Sequence, residues 1–255
     1  MKLRRRLRQL LERVANVPTN RPLPRGVDVA HDIARAFPRY RVDVVLDVGA
    51  NVGQSARRYL GCFPGAQIYC FEPVRDTFRR LQDSLEGERH VHCVPLALGS
   101  RPGKGEMALT GTSDMFFLLG QQAHAGANVV TEPVDIVTLD EFCASSRIER
   151  VSYLKIDTEG GDLEVLRGGD GMLKGQRIDL VEVEAGMNAG NQRHVPFEAL
   201  KGYLEARDYL LFAIYEQMHE WITGEPHLRR TNPVFVSRRM IAGSTQGAGA
   251  GSSTS

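Results

Sequence analysis

Five carboxylates in this 255-residue chain fall at the ends of short β-rich runs. Asp47 follows Val44-Val45-Leu46 and leads into Val48-Gly49-Ala50-Asn51-Val52-Gly53. Glu72 follows Ala66 to Phe71 and precedes Pro73. Asp157 and Glu159 flank Thr158 after Val151 to Ile156, and Glu184 closes Ile178 to Val183. Clustered carboxylates repel one another, so such a set needs cations, protons or a chemical task. Three tasks suit Asp157, Glu159 and Glu184. One of them takes the proton of, or positions, an acceptor hydroxyl. Alternatively they hold Mg²⁺, or Asp157 caps the helix that follows while Glu159 binds loop amides. The sequence leaves these open, and the expected site is one without a metal. His194, beyond the polar loop 186–193, is a further candidate base, and His124 in the 111–133 loop is a weaker one.

The elements around Asp47 narrow the ligand. A strand that runs into a glycine turn and then a helix is a cofactor cradle, and glycine lets backbone approach a ligand closely. A dinucleotide site would put a pyrophosphate near this turn, where the Asp47 carboxylate would repel it. The loop also departs from the G-x-G-x-x-G spacing of dinucleotide sites. S-adenosylmethionine brings a cationic ammonium and sulfonium instead, which suit Asp47. Gly49, Ala50, Asn51 and Gly53 then form the cradle. Glu72 accepts the ribose hydroxyls, with Pro73 fixing the turn after it. Ser113, in the 100–133 segment, is a candidate contact for cofactor or acceptor.

Strands and helices alternate along the rest of the chain. Helices are expected over 29–37, 54–62, 75–86, from 138 or 140, over 162–174 and over 197–206. Strands are expected over 42–46, 66–71, 91–94, 151–156, 178–183, 209–216 and 233–237. Helices of this length between strands imply βαβ crossovers. The expected fold is α/β, Rossmann-like, with a mostly parallel central sheet, helices on both faces and an antiparallel C-terminal strand. The 100–133 segment reads as a hairpin over 105–110 followed by a mobile loop.

The joint pattern resembles the FkbM-type methyltransferases. The matching residues are Leu46 to Gly53, Phe71-Glu72-Pro73, Ala97-Leu98-Gly99, Thr138-Leu139-Asp140, Leu154 to Gly160, Val165 to Gly168 and Glu184. The resemblance implies a class I methyltransferase fold and O-methyl transfer to a sugar or polyketide hydroxyl. It adds Ala97 to the cofactor contacts, and it supports Ser113. Where the family usually has an acid and then a small residue after Glu-Gly, this chain has Gly161-Asp162.

Composition sets the remaining bounds. Net charge is +1, so no global field marks a nucleic-acid binder, and none is expected as partner. The four cysteines form no C-x-x-C pair, which argues for buried thiols rather than zinc. Residues 1–26 read as a basic amphipathic helix, with leucines on one face, and a Pro-rich linker. That helix packs on the domain or lies on an anionic membrane. Residues 27–241 form the domain and 242–255 a disordered tail. The expected location is cytoplasmic, with peripheral contact at the inner membrane surface as an extension. The acceptor is a small molecule, glycan or glycolipid. The rival readings are an NAD(P)-dependent oxidoreductase and a non-catalytic binding module, and oligomeric state is not legible.

Overall fold

The computed structural model describes residues 23–118 and 129–249. The basic helix expected at the N-terminus, His124 and residues 250–255 lie outside them. In chain order the described elements are α1 (Val29–Ala36), β1 (Val44–Val48), α2 (Gln54–Cys62), β2 (Gln67–Phe71), α3 (Arg75–Ser84), β3 (Val91–Val94), β4 (Ala97–Leu98), β5 (Gly103–Ala108), β6 (Phe117–Leu118), β7 (Thr131–Val137), α4 (Leu139–Ser145), β8 (Val151–Ile156), α5 (Asp162–Gly168), α6 (Asp170–Lys174), β9 (Ile178–Val183), β10 (Ala185–Gly186), α7 (Phe197–Glu205), β11 (Tyr209–His219), β12 (Leu228–Ser237) and α8 (Arg238–Gly249).

The central sheet runs β3-β2-β1-β8-β9-β12, with β10 and β11 also paired to β12. Strands β3, β2, β1, β8 and β9 are parallel. β12 runs antiparallel to β9 and β11. The expected mostly parallel sheet with an antiparallel C-terminal strand is therefore present. The chain builds outward from β1 to β3 and then returns to add β8 and β9 on the other side. That reversal makes the β1–β8 boundary the switch point, where open α/β sheets bind ligands.

Strand periodicity sorts the core into two layers. Leu46, Val48, Leu154, Ile156, Val181 and Val183 face α4 to α7, against Phe142, Leu166, Leu173 and Leu200. Val45, Ile68, Tyr153, Leu180 and Val234 face α1 to α3 and α8, against Ile33, Tyr59, Leu81 and Met240. β8 and β9 are buried on both sides along their whole length, so Lys155 and Glu182 are buried charges among apolar neighbours. Local chemistry fixes the helix starts. Asp28 caps α1 through His31 N at 2.8 Å. Thr138, not Asp140, caps α4, in a capping box with Glu141. Asp140 instead accepts the amides of Gly171 and Met172 in α6, at 2.8 and 2.9 Å.

Three expectations need correction. The 100–133 segment is not a short hairpin and a loop. β5 pairs antiparallel with β7 from Gly103↔Ile136 to Ala108↔Thr131, and β4 and β6 complete a second sheet with a small core of Val74, Ala97, Met107 and Val134. The tail expected from residue 242 is helical through Gly249. The helix expected over 162–174 is two, broken at Gly168-Gly169. A Cβ on Gly168 would lie 2.1 Å from the carbonyl oxygen of Gly99, so backbone passes where a side chain would sit. The described residues contain no helix long and apolar enough to cross a membrane.

The break sets up two opposite substitutions. Gly168→Ala should destabilise by about 3 kcal/mol, because rigid backbone must move. Gly202→Ala, inside α7 with nothing within 4 Å of the added carbon, should stabilise by about 0.5–1 kcal/mol. Urea unfolding of both variants checks the pair, and equal signs would refute this account.

Candidate active site

The carboxyl ends of β1, β2, β8 and β9 enclose a cavity of about 290 Å³ at the switch point, roofed by the second sheet through Met107, Phe116 and Leu118. Its floor is the first glycine turn. The amides of Gly49 and Ala50 donate to Phe71 O at 3.1 and 2.9 Å, which ties the turn to β2. Gly49 has φ +81, and a Cβ there would lie 1.9 Å from Asp157 O. Only glycine lets the β1 turn pass this close to the β8 turn. Asn51, also at positive φ (48°), accepts a hydrogen bond from Ser113 Oγ at 2.8 Å, linking floor to roof.

At one end stands Glu72, almost wholly buried, accepting Val74 N at 2.9 Å. Burial pushes its carboxyl up to about 7, against backbone donors at Val74 and Asn51. A buried carboxylate on a cavity wall suits a ligand with paired hydroxyl donors. Gly49, Ala50, Asn51, Pro73, Ala97 and Ser113 line the same cavity, so seven of the nine expected cofactor residues come together.

The other two do not. Gly53 is the N-cap of α2 at φ +88, packed beneath Leu81, Ser84 and Leu85. Asp47 is fully buried, off the cavity wall, and both its oxygens lack a hydrogen-bond partner. Strand alternation places it with Val45 on the α1–α3 face. There it stands in register with Lys155 of β8, which is itself in register with Glu182 of β9. The nearest approach is 3.9 Å, from Lys155 Nζ to Asp47 Oδ1. Burial raises the Asp47 carboxyl to about 6, with Lys155 opposing the rise. Asp47 thus reaches the cavity only through Lys155, whose ammonium is on the wall.

Acids and bases crowd the opposite end. Lys155 Nζ binds Asp157 Oδ2 at 2.9 Å. Burial disfavours the Asp157 anion, but Lys155 outweighs it and Glu184 adds a hydrogen bond, so its carboxyl lies below the ordinary value. Glu184 is raised to about 7, first by burial and then by the Asp157 charge, with His194 opposing. Arg230 of β12 pairs with Glu184 Oε1 at 2.5 Å. His194 Nε2 lies 3.0 Å from Glu184 and 3.4 Å from Glu159, while Asn191 meets its Nδ1. Burial opposes the imidazolium, yet bonds to Glu159 and Glu184 lift its pKa to about 9. Arg193 pairs with Glu159. The structure thus brings Asp157, Glu159, Glu184 and His194 into one cluster. His194 stands behind the two glutamates, outside the cavity wall.

Ligand atoms of Glu159, Glu184 and His194 lie within 4.8 Å of one another, a spacing that a divalent ion could bridge. Each glutamate, however, already has an arginine partner, so an ion would enter a cluster whose anions are compensated. Asp162 is the structural member: it accepts Thr158 Oγ1 at 2.8 Å and Glu184 N at 3.0 Å, tying the β8 turn to the end of β9. Arg230 lies on the second strand of a hairpin far along the chain, in no motif that marks it.

Residues 47–211 match the family described as the methyltransferase FkbM domain. Among curated relatives, the hexuronic acid methyltransferase AglP of Haloferax volcanii is 27% identical over 146 residues, 57% of this chain and 58% of its own length. The match therefore spans little more than half of that relative. The 2-O-methyltransferase NoeI of Sinorhizobium fredii is 24% identical, over 74% of this chain and 79% of its own. Among solved structures, an rRNA methylase from Streptococcus thermophilus has 10% identity and a TM-score of 0.47, covering 87% of this chain and 99% of its own.

Removal of the central cation tests the electrostatics. Lys155→Met should cost about 3–5 kcal/mol near pH 8 by stranding buried carboxylates. The cost should shrink toward pH 5. Asp47 already titrates near 6 with Lys155 in place, and without the ammonium it binds a proton at still higher pH, so at pH 5 its charge is gone. Urea unfolding at both pH values reads this out, and a cost independent of pH would contradict it.

Proposed function

Because the chain belongs to the FkbM methyltransferase family, we propose that it is an S-adenosylmethionine-dependent O-methyltransferase whose acceptor is a sugar hydroxyl in a glycan, glycolipid or glycosylated natural product. One observation carries the reading: a single cavity has a buried carboxylate at one end and a charge-compensated acid–base cluster at the other, joined by a glycine turn. The name of AglP favours a sugar acceptor, and that of NoeI favours transfer to oxygen.

The residues fit the cofactor. Glu72 would accept its ribose hydroxyls, the Gly49–Asn51 turn would carry its methionine portion, and Ala97 would pack on its adenine. Bound there, it supplies an electrophilic methyl group on a positively charged sulfur. The remaining work falls to the chain. An attacking hydroxyl must lose its proton, and the best acceptor has a pKa near the working pH. Asp157 is held too acidic by Lys155, which leaves the two glutamates on the cavity wall. Glu184, raised to about 7, is the base in this reading. Asp157 orients the hydroxyl. His194 and Arg230 are positioning residues that keep Glu184 ionised and aimed.

Two measurements test this. Incubation with methyl-labelled cofactor and a saccharide panel should add one methyl group, detected by mass spectrometry. Glu72→Ala should weaken S-adenosylhomocysteine binding by at least tenfold in calorimetry, as loss of a charged hydrogen-bond acceptor implies. Unchanged affinity would remove Glu72 from the cofactor site.

Glu184→Gln should lower kcat by about 10²–10⁴ and leave S-adenosylhomocysteine affinity intact. In the unaltered protein kcat should rise through about pH 7 as Glu184 ionises and fall above about 9 as His194 loses its proton. This mechanism uses no divalent ion, so turnover should survive EDTA. A flat profile, or activity abolished by EDTA and restored by Mg²⁺, would reassign the cluster.

A further inference from the structure

The β11–β12 hairpin is longer than the sheet requires. β12 pairs with β9 over Val234–Val236 and with β10 at Arg230 and Thr231. Residues before Arg230 therefore stand beyond the carboxyl edge of the parallel strands, the edge at which the cavity lies. The turn between β11 and β12 projects from that edge and carries Trp221, the only tryptophan in the chain.

Trp221 is 57% exposed and Ile222 67%. The turn that holds them is nevertheless well fastened. Glu220 N donates to His227 O at 2.8 Å, and the Glu220 carboxylate accepts Ile222 N at 2.9 Å and the Arg229 guanidinium at 2.8 Å. Arg229 also lies over the indole, 5.0 Å from its centroid, and backs one face of the ring. The exposure of Trp221 leaves the rest of the ring to solvent.

The same strand end supports the acid–base cluster. Arg229 O accepts Met187 N at 3.0 Å and Asn191 Nδ2 at 2.8 Å. Asn191 binds His194, and the next residue, Arg230, binds Glu184. Arg229 and Arg230, adjacent on β12, thus contact the indole, the asparagine that holds the positioning histidine, and the base. An amphipathic ring backed by Arg229 on one face and otherwise exposed, at the edge where the cavity lies, is a surface on which the C–H face of a pyranose packs while its hydroxyls stay solvated.

We propose that Trp221 is an acceptor-binding platform, on which a pyranose ring of the saccharide stacks so that the acceptor is delivered to Glu184. The inference rests on the sugar reading above and extends it to a specificity-determining residue. A membrane is the poorer occupant. The turn Glu220-Trp221-Ile222-Thr223-Gly224-Glu225-Pro226-His227 carries two acids and no lysine or arginine, whereas anionic bilayers recruit basic segments.

As the sole tryptophan, Trp221 reports on itself. Full-length protein saturated with S-adenosylhomocysteine is titrated with methyl glycosides and short oligosaccharides of hexose, hexuronic acid and deoxyhexose. A saccharide that the enzyme methylates should shift or quench the emission saturably. Trp221→Ala should raise KM for that saccharide roughly tenfold with kcat within about twofold, and Trp221→Phe should restore most of the loss. A saccharide that is methylated without moving the emission, or an unchanged KM in Trp221→Ala, overturns the platform and leaves the sugar O-methylation reading intact. If no saccharide is bound or methylated, both fall. Emission that responds to phosphatidylserine vesicles and not to a methylated saccharide gives the turn to a membrane. A dimer in sedimentation that Trp221→Ala dissociates gives it to a second copy.

Discussion

One buried ammonium holds the middle of this protein together. Lys155 stands on β8 between Asp47 of β1 and Glu182 of β9, in register with both, and its Nζ also binds Asp157. Asp47 and Glu182, two carboxylates buried inside the sheet, would each face a desolvation penalty of several kcal/mol. A central cation spreads the compensation over the three strands that meet at the switch point. Tyr153 and Asn232 complete the shell around Glu182. The charge that makes the sheet tolerable is thus the charge that sets the Asp157 carboxyl low at the cavity wall. Stability and chemistry share an atom, so neither can be altered alone.

The two ends of the cavity are built differently. The end with Glu72 is made by consecutive strand-to-helix turns, Gly49 to Asn51 and Glu72 to Pro73, whose backbone is fixed by neighbouring bonds to Phe71 O. The end with Glu184 collects side chains from β8, β9, the loop before α7 and β12. Such an assembly depends on long-range packing, and its geometry is held by paired charges: Arg230 on Glu184, Arg193 on Glu159, His194 between the glutamates.

That difference also decides what the sequence discloses. Alternating strands and helices, the glycine turn and Glu72 are local patterns, and each reappears in the structure. Asp47 does not line the cavity, because the alternation Val45-Leu46-Asp47 sets it on the same face as Val45. β7 was hidden because Thr131-Glu132-Pro133 opens it with an acid and a proline, which reads as loop; Pro133 is tolerated opposite Glu106, in the small second sheet. Arg230 was invisible for a different reason. Nothing near it in the chain marks it, and its partner is made adjacent only by the antiparallel return of β12.

Asp157 and Glu184 show how neighbours divide the labour between two carboxylates in contact. Glu184 is buried and Asp157 half-buried, and desolvation raises both. Asp157 has Lys155 at 2.9 Å, and the attraction overwhelms the desolvation, leaving a strong anion that holds a proton poorly. Glu184 has two cationic partners as well, but it also feels the Asp157 charge, and the sum leaves it near 7. As the proposed base, Glu184 needs this intermediate compensation. With less, it would be protonated before any hydroxyl arrived. With more, it would be as inert as Asp157. When Glu184 takes a proton it also removes a buried charge, so the low dielectric that disfavours its ionised form favours the transfer. The ionised neighbour is what keeps that balance, and the neighbour stays ionised because of Lys155.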